Sequence, residues 1–283
     1  MMQRTLKNSV LLGCFGLASV SALAATAPDP GDYTGLPAGT DLALLYYNHV
    51  TADNLYQGGN KVASDIGLKA DIGIARFVHF TKWGDYLVDP QIVVPFGSQK
   101  LDLTNSKTSG LGDVIFGGTL WTKADLANGE HLGWSVFVTA PTGDDKNKGF
   151  AVSDNRWKVE LAAGYIKRFA PKWSLDLIPQ VEFYDDDRKT GAKRDPMFRG
   201  FAHLRYHLSD TAHVAISYRH AVGAKETLNG NQVAKAMNDN AVLLTGAMFL
   251  DKSWRVQLQA AQDINVENGP KTTTLAAQLL FVY

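Results

Sequence analysis

From Asp41 to Tyr283 apolar and polar residues alternate with a period of two, and the spacing of an amphipathic helix is hard to find. Val62 to Phe80 shows the pattern most clearly. Ile66, Leu68, Ala70, Ile72 and Ile74 share one face, and Asp65, Gly67, Lys69, Asp71 and Gly73 share the other. In Trp173 to Tyr184, Trp173, Leu175, Leu177, Val181 and Phe183 oppose Ser174, Asp176, Gln180 and Glu182. In Trp254 to Ile264, Val256, Leu258 and Ala260 oppose Arg255, Gln257, Gln259 and Asp263. Such strands fit either a soluble sandwich, which buries the apolar face, or a barrel, which turns it to lipid.

Twelve strands are predicted, centred near Leu45, Leu68, Gln91, Gly117, Val136, Leu161, Leu177, Ala202, Ile216, Thr245, Leu258 and Leu279. The connections between them separate the two architectures. Those after odd-numbered strands are long and polar, at 51–61, 97–109, 143–155, 185–195, 223–238 and 265–271. Those after even-numbered strands are short, as in Ala170-Pro171-Lys172-Trp173, Ser209-Asp210-Thr211 and Asp251-Lys252-Ser253-Trp254, with 124–130 of middling length. Long outer loops with short periplasmic turns belong to outer-membrane barrels, and a sandwich has no reason to obey that rule. Trp83, Trp173, Trp254 and Tyr206 stand beside short turns, where an interfacial girdle would put them. The last strand, Thr272 to Tyr283, stops on an aromatic, and its unpaired edge is expected to close onto the first strand. Its end, at Phe281 and Tyr283, looks like the signature by which barrel assembly machinery recognises its clients. The fold class expected is therefore all-β: a transmembrane antiparallel β-barrel of about 12 strands in a bacterial outer membrane.

The N-terminal region agrees. Arg4 and Lys7 precede an apolar stretch from Val10 to Leu23, and Ala22-Leu23-Ala24 is a small-x-small cleavage pattern, so 1–24 read as a signal peptide cut after Ala24. Residues 25–39 then read as an N-terminal periplasmic segment and 40–283 as the barrel. Leu11-Leu12-Gly13-Cys14 is close to a lipoprotein box, but the apolar stretch runs past it, and Cys14 reads as an ordinary leader residue. It is the only cysteine, so no thiol chemistry is expected of the mature chain. Composition alone does not separate the classes. The whole chain carries 28 basic and 28 acidic residues, and loss of Arg4 and Lys7 leaves a slight acidic excess that argues against a nucleic-acid partner.

Short motifs sit where strands meet long loops: Pro37-Ala38-Gly39-Thr40, Val88-Asp89-Pro90, Val94-Pro95-Phe96-Gly97, Gly110-Leu111-Gly112-Asp113 and Pro141-Thr142-Gly143-Asp144. With the terminal strand, they give the chain, over roughly 29–283, a resemblance to the outer-membrane proteins grouped under the MetA pathway of phenol degradation. The resemblance implies a transporter that admits aromatic or other poorly soluble compounds. From the residues alone, the glycines and prolines serve backbone geometry, and Asp113 and Asp144 satisfy loop donors.

If the apolar faces meet lipid, the opposite positions line the lumen: Asp65, Lys69, Asp71, Asp89, Gln91, Asp113, Asp176, Gln180, Glu182, Arg199, His203, Arg205, Arg219, Arg255, Gln257 and Gln259. Acidic residues dominate the early strands and basic residues the later ones. Two arrangements follow. The arcs face each other across water and set up a transverse field, or they pair directly into a salt-bridged plug. Phe96, Phe150, Met197 and Phe201 are a candidate greasy pocket near the outer rim.

The function expected is passive uptake of small solutes, with membrane lipid, the solute and the assembly machinery as partners and with neither cofactor nor catalysis. The alternative is a plugged barrel acting as a lipid-modifying enzyme or a structural protein. For such an enzyme His207 and Ser209 offer a base beside a hydroxyl, but no third residue orients the imidazole. His203 and His207 lie about 13 Å apart on one strand, too far to share a metal. Asp185-Asp186-Asp187 reads as a solvated loop tip rather than a calcium site.

Overall fold

A computed structural model describes residues 27–144 and 152–283; the expected signal peptide with its cleavage site, and Phe150 of the expected pocket, lie outside them. Twelve long strands build the wall. They are β1 (Asp41–Ala52), β2 (Leu68–His79), β3 (Tyr86–Leu101), β4 (Val114–Asp125), β5 (Glu130–Ala140) and β6 (Lys158–Ala170), then β7 (Trp173–Tyr184), β8 (Met197–His207), β9 (Ala212–Gly223), β10 (Met237–Phe249), β11 (Trp254–Asn265) and β12 (Thr273–Val282). Each pairs antiparallel with its sequence neighbours, and β1 also pairs with β12, so the sheet closes on itself. At the seam the Asp41 and Tyr283 backbones exchange hydrogen bonds of 3.3 and 3.1 Å. Closure removes the free edge, and each expected strand centre falls in a strand of its own.

Leu45, Val136, Leu161, Leu177, Ile216, Leu244 and Leu258 all project outward and are exposed, which forms an apolar band suited to hydrocarbon and a liability in water. At the end with the short turns, Trp173 packs on Tyr206 at 4.9 Å between ring centroids, and Trp254 on Phe281 at 4.6 Å. The Lys172 ammonium lies 5.8 Å from the centre of the Tyr206 ring. The Trp and Tyr rings among them, apolar with one polar edge, are of the kind suited to a membrane–water interface. At the other end the longer connections fold into two small sheets, one joining 193–194, 226–228 and 231–234 and the other joining 55–57, 60–63 and 268–270.

Two expectations are corrected. Alternation in β2 has the predicted period and the opposite sense: Leu68, Ala70, Ile72 and Ile74 are buried inside the barrel, while Lys69 and Asp71 point outward. Asp65 lies before the strand, exposed and with φ 56°, so it lines nothing. The physical reason is that the interior beside β2 is not water. Val50, Ala70, Ile72, Ile74, Val93 and Ile115 form an apolar cluster there. Outside, Asp71 accepts hydrogen bonds from Tyr47 Oη (2.6 Å) and is paired with His49 Nδ1 (2.8 Å), so its polar group is satisfied at the barrel's outer surface.

The second correction concerns the stretch expected in the periplasm. Residues 27–39 run inside the barrel instead, because their backbone finds partners on the inner wall. Gly31 N donates to Asp176 Oδ2 (2.8 Å), Gly35 N to His131 Nδ1 (3.2 Å), and Trp121 Nε1 to the Tyr33 carbonyl (3.1 Å). Gly164 leaves the space that the Tyr33 ring fills, since a Cβ there would lie 2.0 Å from it.

Candidate functional site

The barrel interior is divided by this N-terminal segment, so the site is built from how the segment is held. Asp32 pairs with Arg76 at 3.0 Å, and Arg76 Nε donates to Gln91 Oε1 at 2.8 Å. Tyr33 Oη accepts from Ser135 Oγ at 2.9 Å. Asp29 receives Nε2 of Gln278 (2.9 Å) and Nε2 of Gln259 (3.3 Å) from the far wall. Toward the periplasm Leu36 packs into a cluster with Leu42, Leu44, Val78, Phe80, Trp121 and Leu280, which fills that end of the lumen.

On one side of the segment, polar side chains from β6, β7 and β8 pair directly. Arg199, only 1% exposed, bonds Glu160 Oε2 at 2.8 Å and also Glu182; Lys158 reaches Glu182 Oε1 at 3.2 Å. Gln180 donates to Glu160, and Arg205 pairs with Asp176 at 2.8 Å. Asp89 takes the Thr119 N–H (2.6 Å) and Gln91 Nε2 (2.7 Å). A cavity of about 50 Å³ lies there beside Tyr33, Tyr46, Arg76 and Glu160.

The other side is open. Between the segment and the outer connections lies a chamber of about 190 Å³. Ala27, Pro28 and Asp29 form its floor, Asn48, Gln257, Gln259 and Gln278 supply amides, and Val50, Phe201, Leu243 and Ala276 supply apolar surface. Arg219 lines it with Nη2 held on Asp263 Oδ1 at 2.6 Å. Arg255, below, donates to Gln278 (3.1 Å) and Gln257 (2.8 Å). A buried cluster braces the outer connections beside the chamber. Arg194 bonds Asp154 at 2.5 and 2.9 Å and Glu226 at 2.6 Å, and Arg156 bonds Glu226 at 3.1 Å, tying three loops together.

The residues predicted from alternation therefore distribute unevenly. Asp89, Gln91, Asp176, Gln180, Glu182, Arg199, His203 and Arg205 face inward but are consumed in the packed half, where His203 pairs with Ser217 at 2.8 Å. Arg219, Gln257 and Gln259 line the chamber, and Arg255 sits beneath it. Asp65, Lys69 and Asp71 do not face the lumen. Asp113 is a loop clamp. Its carboxylate accepts from Gly143 N (3.0 Å), Ser153 Oγ (2.6 Å), Asp154 N (2.8 Å) and Asn155 N (3.2 Å), leaving nothing for solute. Charged residues of the two arcs pair directly across neighbouring strands, chiefly β7 with β8, rather than facing each other across water. Of the expected greasy pocket, Phe201 lines the chamber, Met197 is buried and Phe96 points outward. His207 bonds Ser174 Oγ at 2.8 Å, whereas Ser209 bonds Thr211 at 3.2 Å. Asp187 accepts the backbone N–H groups of Lys189 and Thr190, which makes it a turn former.

Sequence reasoning missed Asp29, Asp32, Tyr33, Tyr46, Asn48, Arg76, Glu160 and Gln278. Arg76, Glu160 and Gln278 lie at inward positions of recognisable strands and were open to detection. Asp29 to Tyr33 gave no signal, because a short stretch rich in proline and glycine has no period.

The model of the family described as "Putative MetA-pathway of phenol degradation" matches residues 51–279. The chain belongs to this family. The COG4313 outer membrane channel from Pseudomonas putida F1 is 31% identical, with a TM-score of 0.87 over 91% of this chain and 100% of that one. Two barrels resemble it in fold alone. The transport unit of the autotransporter AIDA-I from Escherichia coli has 10% identity and a TM-score of 0.50 over 95% of this chain and 98% of that one. A TodX monoaromatic hydrocarbon channel mutant has 9% identity and a TM-score of 0.50 over 90% and 92%. A comparison with curated proteins finds no match. This family member is thus a closed twelve-stranded barrel of the outer-membrane channel type.

Proposed function

We propose that the protein is a passive channel for small, neutral or amphipathic solutes, aromatic compounds among them, and that it carries out no covalent chemistry. The chamber carries this reading. Its lining mixes amides and apolar side chains with charged groups largely engaged by one another, Arg219 with Asp263 and Arg194 with Glu226, which suits a molecule with a hydrophobic body and one or two hydroxyl groups, and its size suits one such molecule at a time. The name of the TodX channel shows that a barrel of this general fold serves monoaromatic hydrocarbons.

A solute in the chamber stands on the N-terminal segment, so onward passage requires that segment to yield. Its hold on the chamber side runs through Asp29, which meets the side chains of Gln257, Gln259 and Gln278 with Arg255 nearby, whereas Asp32, Gly31 and Tyr33 are bound to the packed side. Swelling of liposomes that contain the full protein tests the proposal with phenol-sized neutral solutes set against charged disaccharides. Swelling with the former and not the latter is expected. No passage of either, by a barrel that is folded on heat-shift gels, overturns it in favour of a plugged structural barrel.

The assembly partner is part of the same proposal: machinery that reads the β12 end is expected to depend on Phe281, whose ring packs tilted against Trp254 and stacks on Tyr283. Phe281→Ala should lower the amount of heat-shiftable barrel in the membrane severalfold in cells. Unchanged yield would remove Phe281 from that role.

A further inference from the structure

On the outer surface, Lys69 of β2 lies opposite Lys100 of β3, and Lys100 lies opposite Lys107 of the hairpin strand Ser106–Leu111. All three side chains are exposed and on the same outward face. Neighbouring strands are about 4.8 Å apart, so three ammonium-bearing positions stand in a row about 10 Å long. Like charges directly opposite each other repel. Lys100 has a counter-ion in Asp102 at 2.7 Å, half exposed, while among the described residues Lys69 and Lys107 have no ion-pair partner. Asp71, in the next row toward the membrane centre, is occupied by Tyr47 and His49.

The height of the row is informative. Ten residue steps along β2 lead from Lys69 to His79, which pairs with Asp41 at the end with the short turns. At about 3.3 Å per residue and a tilt of about 40°, that is about 25 Å along the membrane normal, the height of a barrel's apolar band. The lysines therefore stand where hydrocarbon gives way to head groups. One row further in, past Asp71, Ser98 and Ser109, Phe96 and Leu111, paired in register and exposed, form an apolar shelf. The Phe96 ring lies across Gly73, where a Cβ would come within 2.4 Å of it.

We propose that Lys69, Lys100 and Lys107 form a binding site for the phosphate groups of an outer-leaflet glycolipid, with its acyl chains on the Phe96–Leu111 shelf. A phosphate bridging the row converts mutual repulsion into charge-assisted hydrogen bonds. The inference rests on the outer-membrane setting and not on solute passage.

The test is native mass spectrometry of the purified full protein in detergent, titrated with lipid A carrying both phosphates and, separately, with dephosphorylated lipid A. The wild-type barrel should retain the phosphorylated lipid about tenfold better or more, and the Lys69→Gln/Lys100→Gln/Lys107→Gln variant should lose that preference. Equal retention of the two lipids by the wild type, or an unchanged preference in the triple variant, overturns the proposal. If the triple variant does not assemble, Lys107→Glu alone serves, because Lys107 lies on a hairpin strand outside the twelve-strand cycle. A drop of about threefold is expected there, and no drop overturns the proposal just the same.

Discussion

The inward positions of β6, β7 and β8 carry Lys158, Glu160, Asp176, Gln180, Glu182, Arg199 and Arg205, whereas those of β10, β11 and β12 mix Asp239, Arg255, Gln257, Gln259, Asp263 and Gln278 with the smaller Ala241, Thr245, Ala261, Thr274 and Ala276. Both walls belong to one barrel with one curvature, so the difference in side-chain volume decides which side is solid and which holds the chamber. The large residues are mostly charged, and inside a closed wall a charge persists only when paired. Solidity and ion pairing are thus the same property on that side. Small residues on the opposite wall leave room that no protein group fills.

Breaking the solid side should have the largest effect. Arg199→Ala leaves Glu160 and Glu182 buried with Lys158 as their remaining close cation, and should cost about 3–5 kcal/mol in urea unfolding from lipid vesicles. A loss under about 1 kcal/mol would mean that water already reaches the pair. Next comes Gly164→Leu, which places a side chain where the Tyr33 ring lies. Overpacking of this kind costs about 1–3 kcal/mol. The N-terminal segment should leave its seat, become cleavable by added protease and raise solute flux severalfold. Protection from protease equal to that of the wild type would show that the segment tolerates the intrusion.

On the open side, Ala261→Trp should fill the chamber and cut phenol-sized flux severalfold, with less than about 1 kcal/mol of change in stability, because it adds volume where there is none to displace. Equal flux would put the solute route elsewhere. The smallest effect belongs to neither side. Trp83, 73% exposed beside a periplasmic turn, should cost about 1 kcal/mol or less as alanine, read by the same urea titration.

The contrast also marks what could be read from the chain alone. Strand period and loop asymmetry were legible because each is local, and β7 and β11 point as their alternation implies. For β2 the period was legible and the sense was not. Alternation sorts residues into two faces, and the usual rule that the greasy face meets lipid presumes water inside. Beside β2 the interior is apolar, so Ile72 and Ile74 turn inward while Asp71 finds Tyr47 and His49 outside. The chamber was half legible, since Gln257 and Gln259 were named from alternation but Gln278 and Asn48 were not. Its floor was invisible, because the partners of Asp29 are 230 and 249 residues away in sequence.

Those long separations bear on the order of assembly. The stretch from Ala27 to Gly39 precedes every strand of the wall, yet Gln259 and Gln278, whose amides hold Asp29, belong to β11 and β12. The floor of the chamber therefore cannot be fastened until the final hairpin has docked and the Asp41–Tyr283 seam has shut. A nascent barrel halted one hairpin short would have its segment tethered by Asp176, Arg76 and His131 but loose at Asp29, which makes a fastened floor a mark of a finished molecule.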